Sequence, residues 1–328
     1  MIFAILAMLV TNAGVNDGLN IALPEIAKGA GLDYELCLSM GTVAGFVGVA
    51  MMLVIAKFRD RFGGRKVSAA LFIIFGFTFY FLFLRASNIV MYAISQCIMV
   101  SCGQGCFYLC TGPMQSDWFP KKRGVVNGIS TIGANIGTAI LAPIMTTLLT
   151  MAEYKTSLSV FAVAAVVLGI FAYLTLRDDP LEAGMYPDNV TKEVYEKEYK
   201  NISKKDEYVS DWTIPKMLKC KEVWLAAMVP GFITLGLLGI ITQFVPRNVS
   251  LGLSQEVAIS AMTVAGLVGI IGSYAIGYID TKIGTKKACM IYCAIFAVGI
   301  AFNLLASIWL PFVYVSIPVS YTHLRAHE

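Results

Sequence analysis

The chain has 328 residues, of which 57% are hydrophobic and 14% are charged, and its formal net charge is +4. A water-soluble domain of this size could not carry that composition without large exposed apolar patches. These values therefore exclude a soluble globular protein and indicate a chain that lies mostly in lipid. The small net charge gives no indication of nucleic-acid binding.

Nine apolar segments are long enough to cross a bilayer as α-helices, since a helix needs about 20 apolar residues to span a hydrocarbon core of roughly 30 Å. A tenth segment begins near Trp309 and is interrupted at about residue 317. The sequence therefore predicts an all-α, multi-pass membrane protein. The nine predicted spans lie near residues 2–23, 37–56, 67–84, 90–110, 125–151, 158–176, 223–245, 258–279 and 288–305.

The basic residues are distributed unevenly between alternate connections. Twenty Lys and Arg residues lie in the connections that follow spans 2, 4, 6 and 8, whereas the intervening connections hold four, namely Lys28, Arg85, Lys155 and Arg247. Because cytoplasmic loops carry the excess of basic residues in membrane proteins, the even-numbered connections are predicted to be cytoplasmic. The N-terminus is then also cytoplasmic.

The connection after span 6 divides the chain into two parts. Residues 177–222 contain nine Lys or Arg and eleven Asp or Glu, which predicts a solvated linker, helical in part around 191–205. We expect an N-terminal bundle over 1–176, this linker, and a partial C-terminal bundle over 223–317. Residues 318–328 interrupt an apolar segment with polar sequence and resemble translated adapter sequence. This tail is predicted to be non-native, with spans 10–12 lacking from the given chain.

An internal repeat relates the second span and its loop in the two parts. Residues 42–66 align without gaps on residues 263–287, with nine of 25 positions identical, including the loop glycines Gly63 and Gly284. Chance similarity between apolar helices would not extend into the basic loops. The repeat predicts two bundles related by an axis along the membrane normal, a known construction of transporters.

The first of these loops reads Ala56-Lys-Phe-Arg-Asp60-Arg61-Phe62-Gly63-Gly64-Arg65-Lys66. It resembles the signature Gly-x-x-x-Asp-Arg-x-Gly-Arg-Arg/Lys between the second and third helices of the major facilitator superfamily. Ala56 stands where the family usually has Gly, and Gly64 replaces one basic residue. The second loop matches less well, because Asp280 lies one position early. The resemblance implies two pseudo-repeated six-helix bundles, the second incomplete.

The charged residues of the two loops are predicted to form a gate at the cytoplasmic rim. We expect Asp60 at the start of span 3, where a helix N-terminus favours a carboxylate, with Arg61 and Arg65 within reach for charge-assisted pairs. The alternative is that these charges only set the topology. The predicted gate residues are Asp60, Arg61, Arg65, Asp280, Lys282 and Lys286.

Polar side chains recur on single faces of several spans and are predicted to line a central cavity. Asp17 is the one clearly intramembrane ionisable residue of the predicted spans, and such a residue is costly unless it serves a function. The alternative, for any single Asn or Thr, is a hydrogen bond that joins two helices. The predicted cavity residues are Asn12, Asn16, Asp17, Asn20, Gln104, Tyr108, Asn127, Thr131, Asn135 and Gln243.

Two cytoplasmic segments carry a finer resemblance. The stretches from Trp118 to Gly124 and from Asp179 to Asn189 are similar to those of the oxalate/formate antiporter and monocarboxylate transporter branch. Carboxylate transporters of that branch need cationic groups in the cavity, and spans 1–9 carry no mid-span Arg or Lys. Either the cation lies beyond the predicted spans or the solute is not a simple anion. Drug/proton antiporters match less well, since Ser101 replaces their span 4 arginine.

The first functional hypothesis is a secondary transporter of the bacterial inner membrane that works by alternating access. Its expected partners are a small organic solute, a proton and the lipid bilayer, and we expect a monomer without metal or cofactor. A second hypothesis is a transporter-like sensor that binds solute without moving it. An enzyme is disfavoured, because no His/Asp/Glu cluster, serine nucleophile motif or metal-ligand pattern occurs in the sequence.

The substitution Asp17→Asn, in protein from the complete gene, is expected to abolish uphill accumulation while leaving counterflow exchange. The amide cannot carry a proton, so coupling is lost while the solute can still cross. Radiolabelled uptake with and without a proton gradient measures both quantities. Unchanged uphill uptake would remove Asp17 from the mechanism.

Overall fold

The computed structural model describes residues 1–199 and 214–305, and every regular element in these ranges is helical. Tight 3-10 turns occur at Leu181–Ala183 and Pro187–Asn189, and π-helical turns at Phe79–Phe83, Cys106–Thr111, Gly137–Leu141 and Tyr195–Tyr199. The α-helices are α1 (Ile2–Val15), α2 (Asp17–Ala30), α3 (Tyr34–Phe62), α4 (Gly64–Thr78), α5 (Ile89–Gly105), α6 (Gly112–Trp118), α7 (Arg123–Ile136), α8 (Ala142–Met151), α9 (Tyr154–Thr175), α10 (Lys192–Val194), α11 (Ile214–Lys219), α12 (Lys221–Ser250), α13 (Gln255–Ile283) and α14 (Thr285–Leu305).

Six helices of the described residues are long and apolar enough to cross a membrane, and they coincide with predicted spans 2, 3, 4, 6, 8 and 9. Their bounds are Tyr34–Phe62, Gly64–Phe83, Ile89–Trp118, Tyr154–Thr175, Glu256–Ile283 and Lys286–Leu305. The other three predicted spans correspond to α1 with α2, to α7 with α8, and to α12. The count of nine spans remains a prediction, as does the tenth, which lies outside the described residues.

The α-helix is interrupted in predicted spans 1, 3, 4 and 5. Asn16 separates α1 from α2 and has a non-helical backbone, with φ −106° and ψ −110°. π-Helical turns occur in span 3 at Phe79–Phe83, in span 4 at Cys106–Thr111 and in span 5 at Gly137–Leu141. Interruptions in membrane helices are tolerated where the surrounding protein, a cavity or local π-helical geometry satisfies the freed backbone groups. Spans 1, 4 and 5 carry predicted cavity residues.

Side-chain caps explain where several helices begin. The Asp33 carboxylate accepts a hydrogen bond from the Leu36 amide at 2.8 Å, and Asn88 caps α5 by accepting from the Met91 amide at 2.8 Å. At the start of α13, the Ser254 hydroxyl accepts from the Val257 amide at 3.3 Å. Each cap satisfies one of the amides that a helix leaves unpaired at its N-terminus.

The two repeated loops have matching backbone geometry. Gly63, after α3, has φ 84° and ψ 157°, and Gly284, after α13, has φ 85° and ψ 151°. The helices before these glycines each contain 29 residues. Gly31 and Gly252, at the preceding turns, also have positive φ, at 68° and 96°. A side chain at positive φ would strain the backbone, so this geometry accounts for the matching loop glycines Gly63 and Gly284.

Close glycine contacts hold the N-terminal helices together. A Cβ atom at Gly76 of α4 would lie 2.6 Å from the Ala162 carbonyl oxygen of α9, and one at Gly169 of α9 would lie 2.9 Å from the Ala69 carbonyl oxygen. At the contact of α1 with α7, a Cβ atom at Gly133 would overlap the carbonyl oxygen of Ile5. Small residues allow such approach in membrane helices.

The linker is folded where the structure describes it. The helical turns at Lys192–Val194 and Tyr195–Tyr199 lie within the part predicted to be helical. Residues 200–213, which include the rest of that predicted helix, lie outside the described residues, as do residues 306–328 with the predicted non-native tail. The domain boundaries remain predictions.

Gly133→Ala is expected to destabilise the protein by about 2 kcal/mol, because the new methyl group meets backbone that no rotamer change can move aside. Gly45→Ala is the matched control, since Gly45 also lies in a long helix and a Cβ atom there would meet no atom within 4 Å. Thermal unfolding in detergent compares the two. Equal melting temperatures would show that the contact of α1 with α7 is not tightly packed.

Candidate functional site

Three predicted cavity residues are buried in helix contacts. Asn12 is 2% exposed, and its Nδ2 donates to the Ala134 carbonyl oxygen at 3.3 Å, joining α1 to α7. Thr131 and Asn135 are each 1% exposed, and the Thr131 hydroxyl donates to the Gly128 carbonyl oxygen of its own helix at 2.9 Å. For Asn12, the interhelical hydrogen bond proposed as the alternative to a solute contact is present.

The remaining predicted cavity residues are dispersed. Asn16 is half-buried at the break between α1 and α2, and Gln104 is half-buried on α5, where it faces Gly48 of α3. Tyr108 and Asn127 are exposed. The side chains of Asp17, Asn20 and Gln243 lie outside what the structure describes. A common cavity formed by these residues remains a prediction.

The loop after α3 is anchored by the end of α9 and the residues that follow it. The Asp178 carboxylate accepts a hydrogen bond from the Arg65 amide at 2.7 Å, at the N-terminus of α4. Arg65 also donates from Nε to the Tyr173 carbonyl oxygen at 2.7 Å, and its guanidinium lies 5.0 Å from the centre of the Tyr173 ring. Arg65 therefore joins the loop to the end of span 6 through both its backbone amide and its side chain.

The predicted positions of Asp60 and its partners need correction. Asp60 lies in the last turn of α3, not at the start of the next span, and its side chain is 73% exposed in a 3.7 Å pair with Arg59. Arg61 lies over the Phe62 ring, 5.3 Å from its centre. Asp60 is placed wrongly because α3 continues to Phe62, one residue before the positive-φ glycine. A gating role for these residues remains a prediction.

Asp178 takes the place that was expected for Asp60, and sequence reasoning missed it. A Cβ atom at Gly63 would overlap the Asp178 carboxylate, and one at Gly64 would lie 3.1 Å from its Oδ1. Asp178 follows span 6 directly, before an Asp-Pro pair, which is a signal for a capping acid. The partner could not be inferred, because it lies 113 positions earlier in the chain.

A seam of small residues joins α7 to α13 of the second part. A Cβ atom at Gly277 would lie 2.7 Å from the Gly124 carbonyl oxygen, and one at Gly266 would lie 2.8 Å from the Ala139 amide nitrogen. At the basic-loop end of this seam, Asp280 is half-buried, and its Oδ2 lies 2.6 Å from the Cβ position of Gly124. The carboxylate thus lies beside the first turn of α7, where the helix dipole favours negative charge.

The basic residues of the second loop point away from this seam. Lys282 lies over the Tyr278 ring, with its Nζ 4.9 Å from the ring centre, and both Lys282 and Lys286 are exposed. Among the described side chains of the predicted gate residues in this loop, only that of Asp280 lies in the seam.

Two cavities lie at the basic-loop end. One, of 610 Å³, is bordered by both arginines and carboxylates, including Arg59, Asp60, Asp117, Arg123 and Asp178. The other, of 460 Å³, is mostly apolar and lies between the first turn of α1, α6 and the end of α9. Neither is bordered by a predicted cavity residue. In residues 1–199 and 214–305, no three His, Cys, Asp or Glu side chains lie close enough to hold a metal ion.

Comparison with known proteins identifies the family. A model of the Major Facilitator Superfamily matches residues 2–322. The chain belongs to this superfamily. It is therefore a multi-pass membrane protein, as its composition predicts.

Individual relatives are distant. The uncharacterized MFS-type transporter YhjX of Escherichia coli is 22% identical over 276 residues, which cover 83% of this chain and 63% of that protein. Human monocarboxylate transporter 12 is 25% identical over 210 residues, which cover 59% of this chain and 40% of that protein. The chain thus spans less than two thirds of the length of these relatives.

Solved structures of the superfamily share the fold. The crystal structure of a D-xylose-proton symporter matches 99% of this chain and 79% of its own, with a TM-score of 0.65 and 14% identity. A partially occluded, inward-open form of the xylose transporter XylE from E. coli matches 99% of this chain and 83% of its own, with a TM-score of 0.62 and 12% identity. At these identities the likeness shows the fold alone.

Asp178→Ala is expected to lower stability by about 1 kcal/mol, because the amide at the start of α4 loses its acceptor. Asp60→Ala should change stability by less than about 0.5 kcal/mol, since its ion pair is exposed and weak. Both variants can be compared by thermal unfolding in detergent. A larger loss for Asp60→Ala than for Asp178→Ala would contradict the assignment of the cap to Asp178.

Proposed function

We propose that this protein is a secondary active transporter that moves a small organic solute across the bacterial inner membrane by alternating access. Membership in the superfamily and the transporters among its relatives support transport. The uneven distribution of Lys and Arg supports a cytoplasmic location for the basic loops and the N-terminus. The protein acts as a monomer in the bilayer, with no enzymatic step.

The proposed architecture has two like-built bundles, one over residues 1–176 and one beginning at residue 223, with the linker 177–222 between them. The matched φ and ψ angles at Gly63 and Gly284 support this layout, as does the equal length of the helices before them. Two like-built bundles joined by one connection can rock about a site between them.

The observation that carries the proposal is the seam between α7 and α13. These helices belong to different bundles in the proposed layout, and at the basic-loop end they meet through Gly124 and Gly277 with the Asp280 carboxylate beside the start of α7. Helices that meet through glycines can separate without interlocking side chains holding them together. The attraction between a carboxylate and a helix dipole is lost once the two are a few ångströms further apart. This end of the seam has the properties of a gate that closes the cytoplasmic side.

The proposed solute site lies nearer the centre of the membrane, at the interruptions of spans 1 and 5. Asn12, Asn135 and the π-helical turn Gly137–Leu141 lie in one region, since Asn12 Nδ2 lies 3.2 Å from the Cβ position of Gly137. π-Helical turns frequently occur at functional sites. We propose Asp17, at the other interruption, as the proton-coupling residue. Related proteins are named as transporters of monocarboxylates and of xylose, which are small organic solutes.

Asp280→Asn is expected to reduce solute uptake into proteoliposomes about 5-fold, because loss of about 1 kcal/mol of charge–dipole energy shifts the protein away from the closed cytoplasmic gate. Glu256→Gln is the matched control, since Glu256 is an exposed acid in the first turn of the same helix and should leave uptake unchanged. The protein is reconstituted into proteoliposomes and tested on a panel of carboxylates and sugars.

Two results would count against the proposal. Equal uptake by Asp280→Asn and the wild type would remove Asp280 from the gate. Solutes that stabilise the wild type against heating without any flux would favour the sensor hypothesis over transport.

A further inference from the structure

The linker is bound to the basic-loop end of the first bundle through its first 23 residues. We call residues 177–199 the clamp segment. At its start, the Trp118 indole donates to the Arg177 carbonyl oxygen at 3.2 Å, and Asp178 accepts from the Arg65 amide. The clamp segment therefore contacts both the loop between α3 and α4 and the end of α6.

Further along the clamp segment, Asp188 makes a buried contact. Its Oδ2 accepts a hydrogen bond from the Lys121 amide at 3.1 Å, and the residue is 7% exposed. Asp188 and Asn189 both have positive φ, at 54° and 55°, a conformation that Asp and Asn tolerate better than most residues. The turn thus places an acidic side chain against one particular backbone amide.

A second contact holds the same loop residue. Lys121 Nζ forms an ion pair with Glu198, and the rings of Tyr186 and Tyr195 pack 4.7 Å apart, closing the clamp segment on itself. The ion pair is about half exposed, so it contributes little to stability. The bond from the buried Asp188 carboxylate to the backbone is therefore the stronger restraint on this loop.

The position of Lys121 connects the clamp segment to the proposed gate. Lys121 precedes Lys122, whose amide donates to the Phe119 carbonyl oxygen at 3.2 Å, and α7 begins at Arg123. The next residue, Gly124, meets Asp280 and Gly277 of α13. Lys121 thus lies three residues before Gly124, and only Lys122 and Arg123 separate the residue held by Asp188 from the residue that meets Asp280.

We propose that Asp188 is a positioning residue for the gate. By holding the Lys121 amide it keeps the first turn of α7 where Gly124 can meet Asp280, and its loss favours the open gate. The linker would then bias the gate as well as connect the two bundles. This inference rests on the proposed function for its consequence, but its structural part can be tested without a solute.

The test uses three substitutions in the clamp segment. Asp188→Gly keeps a backbone that accepts positive φ and removes the acceptor, whereas Asp188→Asn keeps both the conformation and a side-chain oxygen. Asn189→Gly is the matched control, because it loosens the neighbouring positive-φ position without touching Lys121. Spin labels are placed at Lys122→Cys and Lys282→Cys, both exposed, after replacement of the eight native cysteines.

Double electron–electron resonance in nanodiscs measures the ratio of long to short label distances. Asp188→Gly is expected to raise that ratio at least 3-fold, with Asp188→Asn and Asn189→Gly staying close to the wild type. An unchanged ratio in Asp188→Gly overturns the proposal. An equal rise in Asn189→Gly also overturns it, since loop flexibility would then explain the effect.

Hydrogen exchange provides a second measurement that does not depend on the gate. The Lys121 amide should exchange faster in Asp188→Gly than in the wild type and be protected again in Asp188→Asn. Equal exchange of the Lys121 amide in the wild type, Asp188→Gly and Asp188→Asn overturns the proposal, even if the labelled proteins fail to fold. If Asp280→Asn changes the label distances but Asp188→Gly does not, the gate is retained and the clamp is rejected.

Discussion

The backbone hydrogen bonds of the helices are the constraint on which the rest of the structure depends. Hydrocarbon offers no partner for an amide or a carbonyl, so each membrane segment must satisfy its own. Residues that cannot stay helical are consequently confined to the ends of segments: all positive-φ positions of the described chain, including Gly31, Gly63, Asp188 and Gly284, lie in connections. Within the predicted spans, the described backbone departs from the α-helix at Asn16 and at the π-helical turns Phe79–Phe83, Cys106–Thr111 and Gly137–Leu141.

Once the helices are formed, the distance between them is set by glycine. The α4–α9 and α1–α7 contacts bring backbone against backbone, and so does the seam of α7 with α13. The first two lie within the N-terminal bundle, where close packing gives rigidity. The third lies between proposed bundles, where the same chemistry permits a contact that opens and closes. One type of residue thus makes the close contacts both within the N-terminal bundle and between the proposed bundles.

The acidic residues at the basic-loop end act on backbone more than on other side chains. Asp178 and Asp188 each accept from a backbone amide, at the start of α4 and just before α7, while Asp280 lies beside the first turn of α7. Exposed ion pairs such as Arg59–Asp60 are weak in water, whereas a carboxylate on an amide near a helix start satisfies a donor that the helix itself leaves unpaired. Positioning of spans 3 and 5 therefore depends on acids that follow span 6.

The sequence by itself determined the class of protein, its helical character and the approximate location of six membrane helices in the described residues. Those features follow from composition and from local rules, since twenty apolar residues make a span and a positive-φ glycine ends a helix wherever it occurs. The superfamily could also be recognised, because its loop signature is contiguous. Only the tertiary structure decided which acid meets which amide: Asp178 with Arg65 and Asp188 with Lys121 are 113 and 67 positions apart. The sequence placed Asp60 at the start of span 3 because the predicted span 2 ends before it, whereas α3 continues to Phe62 and the acid at the start of α4 is Asp178, which follows α9.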